Sequence, residues 1–333
     1  MARKSLNSLW LNRVTRSVAA LAHAGIARGK ANSLRATRTT RGNARPAMDE
    51  CSTGMAVNST GARRYRLYSP EGTNLGHALP LIVMLHGCRQ DAESFAASTR
   101  MNRLAAKERF FVLYPEQHRL ANTQGCWNWY DTQSGRAYAE AALIMAAVDQ
   151  VCRLYPIDSS RVAVAGLSAG ASMAALCVSR YPTRFKAVIM HSGVAPGTAN
   201  STLSALRAMR GRPATTDMAA SPVRSVDALP PLLVIQGGAD TLVSEANGRA
   251  CATIWADAGN AQEGISRTVQ RGARYAMTVS DFKRIDTTVA TLVGIERLGH
   301  AWSGGASGIG FGDAKGPDAS RMAWAFASKH FGP

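Results

Sequence analysis

Gly166-Leu167-Ser168-Ala169-Gly170 sets a hydroxyl between two glycines, directly after the apolar run Arg161-Val-Ala-Val-Ala165 and directly before the helical stretch Ala171–Arg180. A serine on such a strand-to-helix turn needs small neighbours, because its backbone is strained and its Oγ must project. The helix N-terminus that follows favours negative charge developing beside it. A five-residue pattern arises by chance in many chains; at a strand-to-helix junction inside an alternating α/β pattern it reads as a nucleophile, and Ser168 is assigned that role.

A nucleophilic serine needs a base, and the base an orienting acid. On this type of turn the two follow the serine as acid, then histidine, each in a loop after a later strand. Leu232-Leu-Val-Ile-Gln-Gly-Gly-Ala-Asp240 ends an apolar run on two glycines and a carboxylate, and the run from Val289 is followed by Leu298-Gly-His300-Ala-Trp302. Asp240 and His300 are therefore the expected acid and base. His86 and His191 also end strands but fall before the acid in chain order, and His330 ends a terminal helix. Two backbone N–H groups must meet the developing oxyanion. Ala169 supplies one, and Cys88, after the strand-ending His86-Gly87, supplies the other.

These residues have to be held by something. Strands are expected at Arg63–Ser69, Leu81–His86, Phe110–Tyr114, Val162–Ala165, Ala187–His191, Leu232–Gln236 and Val289–Glu296, and helices at Ala92–Glu108, Tyr138–Tyr155, Ser168–Tyr181, Ser244–Ala258 and Ala319–Phe331. Most inner strands are continuous apolar runs, as in a parallel sheet covered on both faces. The alternation predicts a three-layer α/β fold. Residues 197–231, rich in Ala, Ser, Thr, Arg and Pro, form an excursion between strands, partly helical near Leu203–Met209.

The chain has 333 residues and a net charge of +17, unevenly spread: the first 48 residues carry ten basic side chains and no acidic one. Residues 1–60 are read as a basic N-terminal arm and 61–333 as the catalytic domain. Leu6, Trp10, Val14, Val18 and Leu21 make one helical stripe in the arm, followed by a Gly-containing linker. An amphipathic helix on an anionic or granule surface, a solvated tail, and a weaker secretory leader around Ala22-His23-Ala24 all fit. Charge without aromatic interleaving gives no case for specific nucleic-acid binding. No run of 18 apolar residues exists, so no transmembrane helix is expected. The six cysteines form no CxxC pair, and neither a phosphate-cradling loop nor a metal-ligand cluster is seen, so no cofactor or metal is expected.

His86-Gly-Cys-Arg-Gln90, Cys126-Trp-Asn-Trp129, Gly166-Leu-Ser-Ala-Gly170, Gly299-His-Ala-Trp-Ser-Gly304 and Gly316-Pro-Asp-Ala-Ser320 together resemble the esterase family of polyhydroxybutyrate depolymerases, within the α/β-hydrolase superfamily, over roughly residues 60 to 333. The resemblance implies an α/β-hydrolase fold, a mostly parallel central sheet with helices on both faces. It implies a serine esterase acting on poly(3-hydroxyalkanoate) or hydroxyacid oligomers, with feruloyl and acetylxylan esterases as the related alternative. A non-catalytic granule- or surface-binding protein is disfavoured by the intact order of Ser168, Asp240 and His300. Trp127, Trp129 and Trp302 fall in these motifs, with Trp302 two residues from His300; they are expected as an apolar wall for acyl chains, with core tryptophan as the plain alternative. Cys88 and Cys126 fit either a disulfide or two thiols. A cytoplasmic, granule-associated protein is the favoured location, a periplasmic or secreted one the alternative.

Overall fold

The apolar runs form strands, and their two-residue alternation sorts them onto two cores. In the computed structural model, which describes residues 51–73, 76–212 and 229–332, the hairpin β1 (Cys51–Asn58) and β2 (Gly61–Tyr68) is followed by β3 (Leu79–Leu85), α1 (Ala92–Thr99), α2 (Met101–Glu108), β4 (Phe111–Pro115), α3 (Arg136–Leu154) and β5 (Ile157–Leu167). Next come α4 (Ala169–Arg180), β6 (Ala187–His191), α5 (Thr202–Met209), β7 (Leu232–Gly237), α6 (Ala246–Ala258), the short β8 (Gln262–Glu263) and β9 (Arg267–Val269), β10 (Met277–Arg284), β11 (Thr287–Ile295), β12 (Trp302–Ser303), β13 (Gly312–Asp313) and α7 (Ala319–His330). The main sheet runs β1-β2-β4-β3-β5-β6-β7-β11-β10-β8. Strands β4, β3, β5, β6, β7 and β11 are mutually parallel, and the flanking strands are antiparallel.

Along β3, Leu81, Val83 and Leu85 point into one core and Ile82 and Met84 into the other, as the period of two requires. The first core also takes Ile144 and Val148 of α3 and Ala171 and Ala175 of α4; the second takes Phe95 of α1, Met101 of α2 and Ala323 of α7. Helices thus cover both faces of a mostly parallel sheet, which is the α/β-hydrolase fold.

Three elements depart from expectation. Residues 51–60, expected in the arm, are part of the sheet: β1 pairs with β2 from Cys51↔Tyr68 to Asn58↔Gly61. As an edge strand it buries Ala56 but leaves Met55 and Val57 exposed, and its Ser, Thr, Gly and Asn residues read as linker. The helix expected over Ala92–Glu108 is two helices, broken at Arg100, whose φ is 55°. The break lets the Arg100 guanidinium donate to the carbonyls of Gly304 (2.5 Å) and Gly305 (2.7 Å). Strand β10, unanticipated, forms an antiparallel hairpin with β11. The expected helix over Leu6–Leu21 lies outside the described residues, as does most of the Pro-containing part of the excursion, although α5 matches its predicted helical segment. Among the described residues no helix is long and apolar enough to cross a membrane.

Candidate active site

Because the inner strands are parallel, their C-terminal ends share one edge of the sheet. Leu85, Leu167, His191, Gly237 and Ile295 end β3, β5, β6, β7 and β11 there, and Cys88, Ser168, Asp240 and His300 lie in the turns and loops leaving that edge, with Ala169 opening α4.

Ser168 occupies the turn between β5 and α4 with φ 57° and ψ −122°, a conformation costly for a side-chain-bearing residue. Its N–H donates to the His191 carbonyl (2.9 Å) and its carbonyl accepts from the Ser172 N–H (3.1 Å), so strand and helix both grip the turn. The flanking glycines are required by packing: a Cβ on Gly166 would stand 2.3 Å from the Gly170 carbonyl carbon, and one on Gly170 2.1 Å from the Leu85 oxygen.

Asp240 and His300, 60 residues apart, are brought together. Gly238 N–H donates to the Ile295 carbonyl (2.8 Å) and Ala239 N–H to that of Leu298 (3.0 Å), lacing the two loops. A Cβ on Gly237 would sit 2.3 Å from the Leu298 oxygen, so the loops close only over glycine. His300 Nδ1 lies 2.8 Å from Asp240 Oδ2. The other carboxylate oxygen accepts the N–H groups of Leu242 (2.9 Å) and Val243 (2.8 Å). Burial works to raise the Asp240 pKa, but the His300 hydrogen bond and charge and the two amides outweigh it, and the carboxyl is held below its usual range. A carboxylate so fixed holds the imidazole with its proton on Nδ1 and leaves Nε2 as a base.

Among the described residues, neither the Cys88 N–H nor the Ala169 N–H donates to a protein acceptor. One of these amides is in the turn after β3 and one at the first position of α4, and the β3 turn reaches the serine at Gly87, where a Cβ would be 3.5 Å from Ser168 Cβ. Cys88 and Cys126, left open by the sequence, are joined by a disulfide. The arrangement provides a strained serine, a carboxylate-backed imidazole and paired amides at one sheet edge, the parts that acyl transfer requires.

The tryptophans are placed differently from expectation. Trp302 is 0% exposed: it stacks on His191 (5.1 Å between centroids), meets Phe95 edge-on, and donates its indole N–H to Ser320 Oγ (3.0 Å). Trp127 is equally buried, donating to the His86 carbonyl (3.0 Å) under the Arg63 guanidinium. Both are core residues rather than an acyl wall. Trp129 keeps 7% of its surface exposed and packs edge-on against Tyr130.

Under the Cys88 loop lies a buried polar cluster not anticipated from the sequence, made of His86, Gln117, Asn128 and Glu140. The signal for Glu140 was present: it is a lone carboxylate on the helix stripe of Ala137, Ala141, Ile144 and Val148.

The sequence model of the family described as Esterase PHB depolymerase matches residues 63–261, well over half the chain. Ser168 and Asp240 lie inside that match and His300 beyond it. Poly(3-hydroxyalkanoate) depolymerase C of Paucimonas lemoignei is 34% identical over 169 residues, covering 46% of this chain and 41% of its own length. Feruloyl esterase B of Neurospora crassa is 34% identical over 145 residues, covering 43% and 48%. The chain thus aligns with less than half the length of these curated relatives. The structure of an acetyl xylan esterase from Aspergillus awamori superposes with a TM-score of 0.60 at 19% identity, covering 75% of this chain and 94% of that one, a likeness of fold. The match over residues 63–261 makes this chain a member of the PHB depolymerase esterase family.

Proposed function

We propose that this protein is a serine carboxylesterase. Ser168 Oγ attacks the ester carbonyl carbon while His300 Nε2 takes its proton. The amides of Cys88 and Ala169 receive the oxyanion, and His300 returns the proton to the departing alkoxide. Water, deprotonated by His300, then releases the acyl group from Ser168. Asp240 keeps the imidazole in the Nδ1–H form and stabilises its cation. The observation carrying the reading is the 2.8 Å His300–Asp240 hydrogen bond at the same sheet edge as the strained Ser168. A Ser168→Ala variant should lose hydrolysis of p-nitrophenyl acetate with its fold intact; turnover near the wild-type level would overturn the assignment.

For substrate, we favour esters of the feruloyl or acetylxylan type. Feruloyl esterase B and acetylxylan esterase A, relatives at 34% and 30% identity, support it. So does the burial of Trp302 and Trp127, which leaves neither indole free to line a long acyl channel. Hydroxyalkanoate polyester is the second reading, supported by the Paucimonas lemoignei relative. Side-by-side kcat/KM values on methyl ferulate, acetylated xylan and hydroxybutyrate oligomers separate the two.

The Cys88–Cys126 disulfide supports an oxidising compartment over the cytoplasmic location expected from the arm. The ten cations among the first 48 residues support contact of residues 1–45 with an anionic surface. Full-length chain should bind anionic vesicles in a salt-sensitive way and a chain lacking residues 1–45 should not; equal binding by both would remove the arm's role.

A further inference from the structure

The Gly87–Cys88 peptide, whose N–H is the oxyanion donor proposed above, is held from below by a buried relay. It is a trans peptide, so its C=O and N–H point in opposite directions, and fixing the carbonyl aims the amide. Gly87 O has two partners: the Gln90 N–H donates to it at 3.3 Å, and His86 Nδ1 lies 2.8 Å away. The His86 tautomer follows from its other nitrogen. Nε2 faces the Gln117 backbone N–H at 3.1 Å and must accept, so the proton sits on Nδ1 and is donated to Gly87 O. Burial holds the imidazole neutral, with its pKa pushed down to about 4.

Gln117 is in turn fixed by Glu140 of α3. Gln117 Nε2 donates to Glu140 Oε1 (2.7 Å) and to the Cys126 carbonyl (3.0 Å). Asn128 gives the same carboxylate its backbone N–H (2.8 Å to Oε2) and its side-chain amide (2.6 Å to Oε1). Glu140, Gln117, Asn128 and His86 are all almost fully buried, where an unmade hydrogen bond is expensive. The loop carrying Gln117 and Asn128 is tied to Cys88 by the disulfide, and the top of the relay lies against the nucleophile: a Cβ on Gly87 would be 3.5 Å from Ser168 Cβ.

We propose that Glu140, acting through Gln117 and His86, positions the Gly87–Cys88 peptide so that the Cys88 N–H points at the oxyanion. His86 and Glu140 are positioning residues; neither touches substrate. The proposal rests on the serine-esterase reading.

The test compares His86→Asn with His86→Gln in the full chain. Asparagine can place an amide N–H where Nδ1 stands and keep the hold on Gly87 O; glutamine reaches the Nε2 position and loses it. With p-nitrophenyl acetate, His86→Gln should lower kcat about 100-fold with KM within about twofold, as for a lost oxyanion donor, and His86→Asn should stay within about fivefold of wild type. Glu140→Gln, whose NH2 must face either the Asn128 backbone N–H at the Oε2 position or the Gln117 and Asn128 side-chain donors at the Oε1 position, should lower kcat about tenfold at unchanged KM. Affinity for an aryl boronate, tetrahedral on Ser168, should fall in proportion to kcat/KM across the series. Equal kcat in the two His86 variants, a higher kcat in the glutamine one, or unchanged boronate affinity would overturn the relay. If both His86 variants fail to fold, Glu140→Gln decides: kcat at the wild-type level overturns the proposal, and a loss of kcat without a change in KM supports it. Ser168→Ala is measured alongside. Turnover retained there defeats the esterase reading itself, whereas an inactive Ser168→Ala with a fully active His86→Gln defeats only the relay.

Discussion

Acidification from pH 7.5 to 5 should cost the folded chain about 4 kcal/mol, most of it through two imidazoles. His86 and His191 are both fully buried. Desolvation pushes His86 down to about 4, with Arg63 and Arg119 adding to it and the Gly87 carbonyl and Asp91 opposing. Desolvation, helped by His300 and opposed by Asp240, pushes His191 down to about 3. In the unfolded chain both titrate near 6.5. Between 6.5 and 4, then, the unfolded state binds protons that the native state refuses, so stability is highest above 6.5 and falls as the pH drops through this window. At pH 5 each histidine accounts for about 2 kcal/mol. Half-buried His330 shifts in the same direction and adds to the trend. The carboxyls of Asp91, Asp240 and Asp281 lie below their usual range. Their stabilisation is complete above about pH 4 and is lost only as the pH falls further, so the window isolates the histidines. His191→Gln is the discriminating change, because a glutamine oxygen can still accept the Ser303 N–H that Nε2 takes at 3.1 Å but carries no titrating group. Urea unfolding followed by tryptophan fluorescence at pH 7.5, 6.5, 5.5 and 5 should give a wild-type slope of about 2–3 kcal/mol per pH unit below pH 6, cut by roughly half in the variant. Flat stability across the range, or an unchanged slope in His191→Gln, would refute the reasoning.

Gly170→Ala drives a Cβ to 2.1 Å from the Leu85 oxygen, a backbone atom with nowhere to move; a stability loss of about 3 kcal/mol or more in urea and loss of ester hydrolysis are expected. Replacing Cys88 and Cys126 together by serine opens a 38-residue separation, which in the chain-entropy treatment removes about 4 kcal/mol, measurable as a lower urea midpoint. Trp302→Ala removes a fully buried indole and should cost about 3–5 kcal/mol while lowering acetate and hydroxybutyrate ester turnover by similar factors; a loss confined to the longer ester would return Trp302 to the acyl site.

What could be read from the residues alone was what is local. The strand, tight turn and helix around Ser168 are contiguous, and the chain order of the loops picked out Asp240 and His300. Features decided by distant partners stayed hidden. Nothing between Ala92 and Glu108 announces the break at Arg100, because the carbonyls it serves belong to Gly304 and Gly305. A tryptophan in a motif looks the same whether it lines a cleft or fills a core; Trp302 is settled by Ser320 and His191, Trp127 by the His86 carbonyl. Strand β1 escaped because an edge strand buries one face only, and its polar residues match a linker in composition. Glu140 was legible in principle as a carboxylate on an apolar stripe, but its partners Gln117 and Asn128 come from a loop whose course no periodicity predicts.

The break between α1 and α2 has a consequence for how the molecule is made. Arg100 reaches carbonyls 204 and 205 positions later, and the Thr99 carbonyl accepts from Ser320 Oγ, 221 positions later. Contacts so far apart in the chain close slowly and late. During synthesis the turn that seeks them is finished early, and so is the elbow bearing Ser168. His300, four residues before Gly304, is made 132 residues after Ser168. A growing chain therefore carries Ser168 before His300 has been made, and the segment that satisfies Arg100 is the one that delivers that imidazole. A chain cut short before residue 300 would lack the His300 imidazole, the carbonyls that Arg100 reaches and the α7 side chains of the second core.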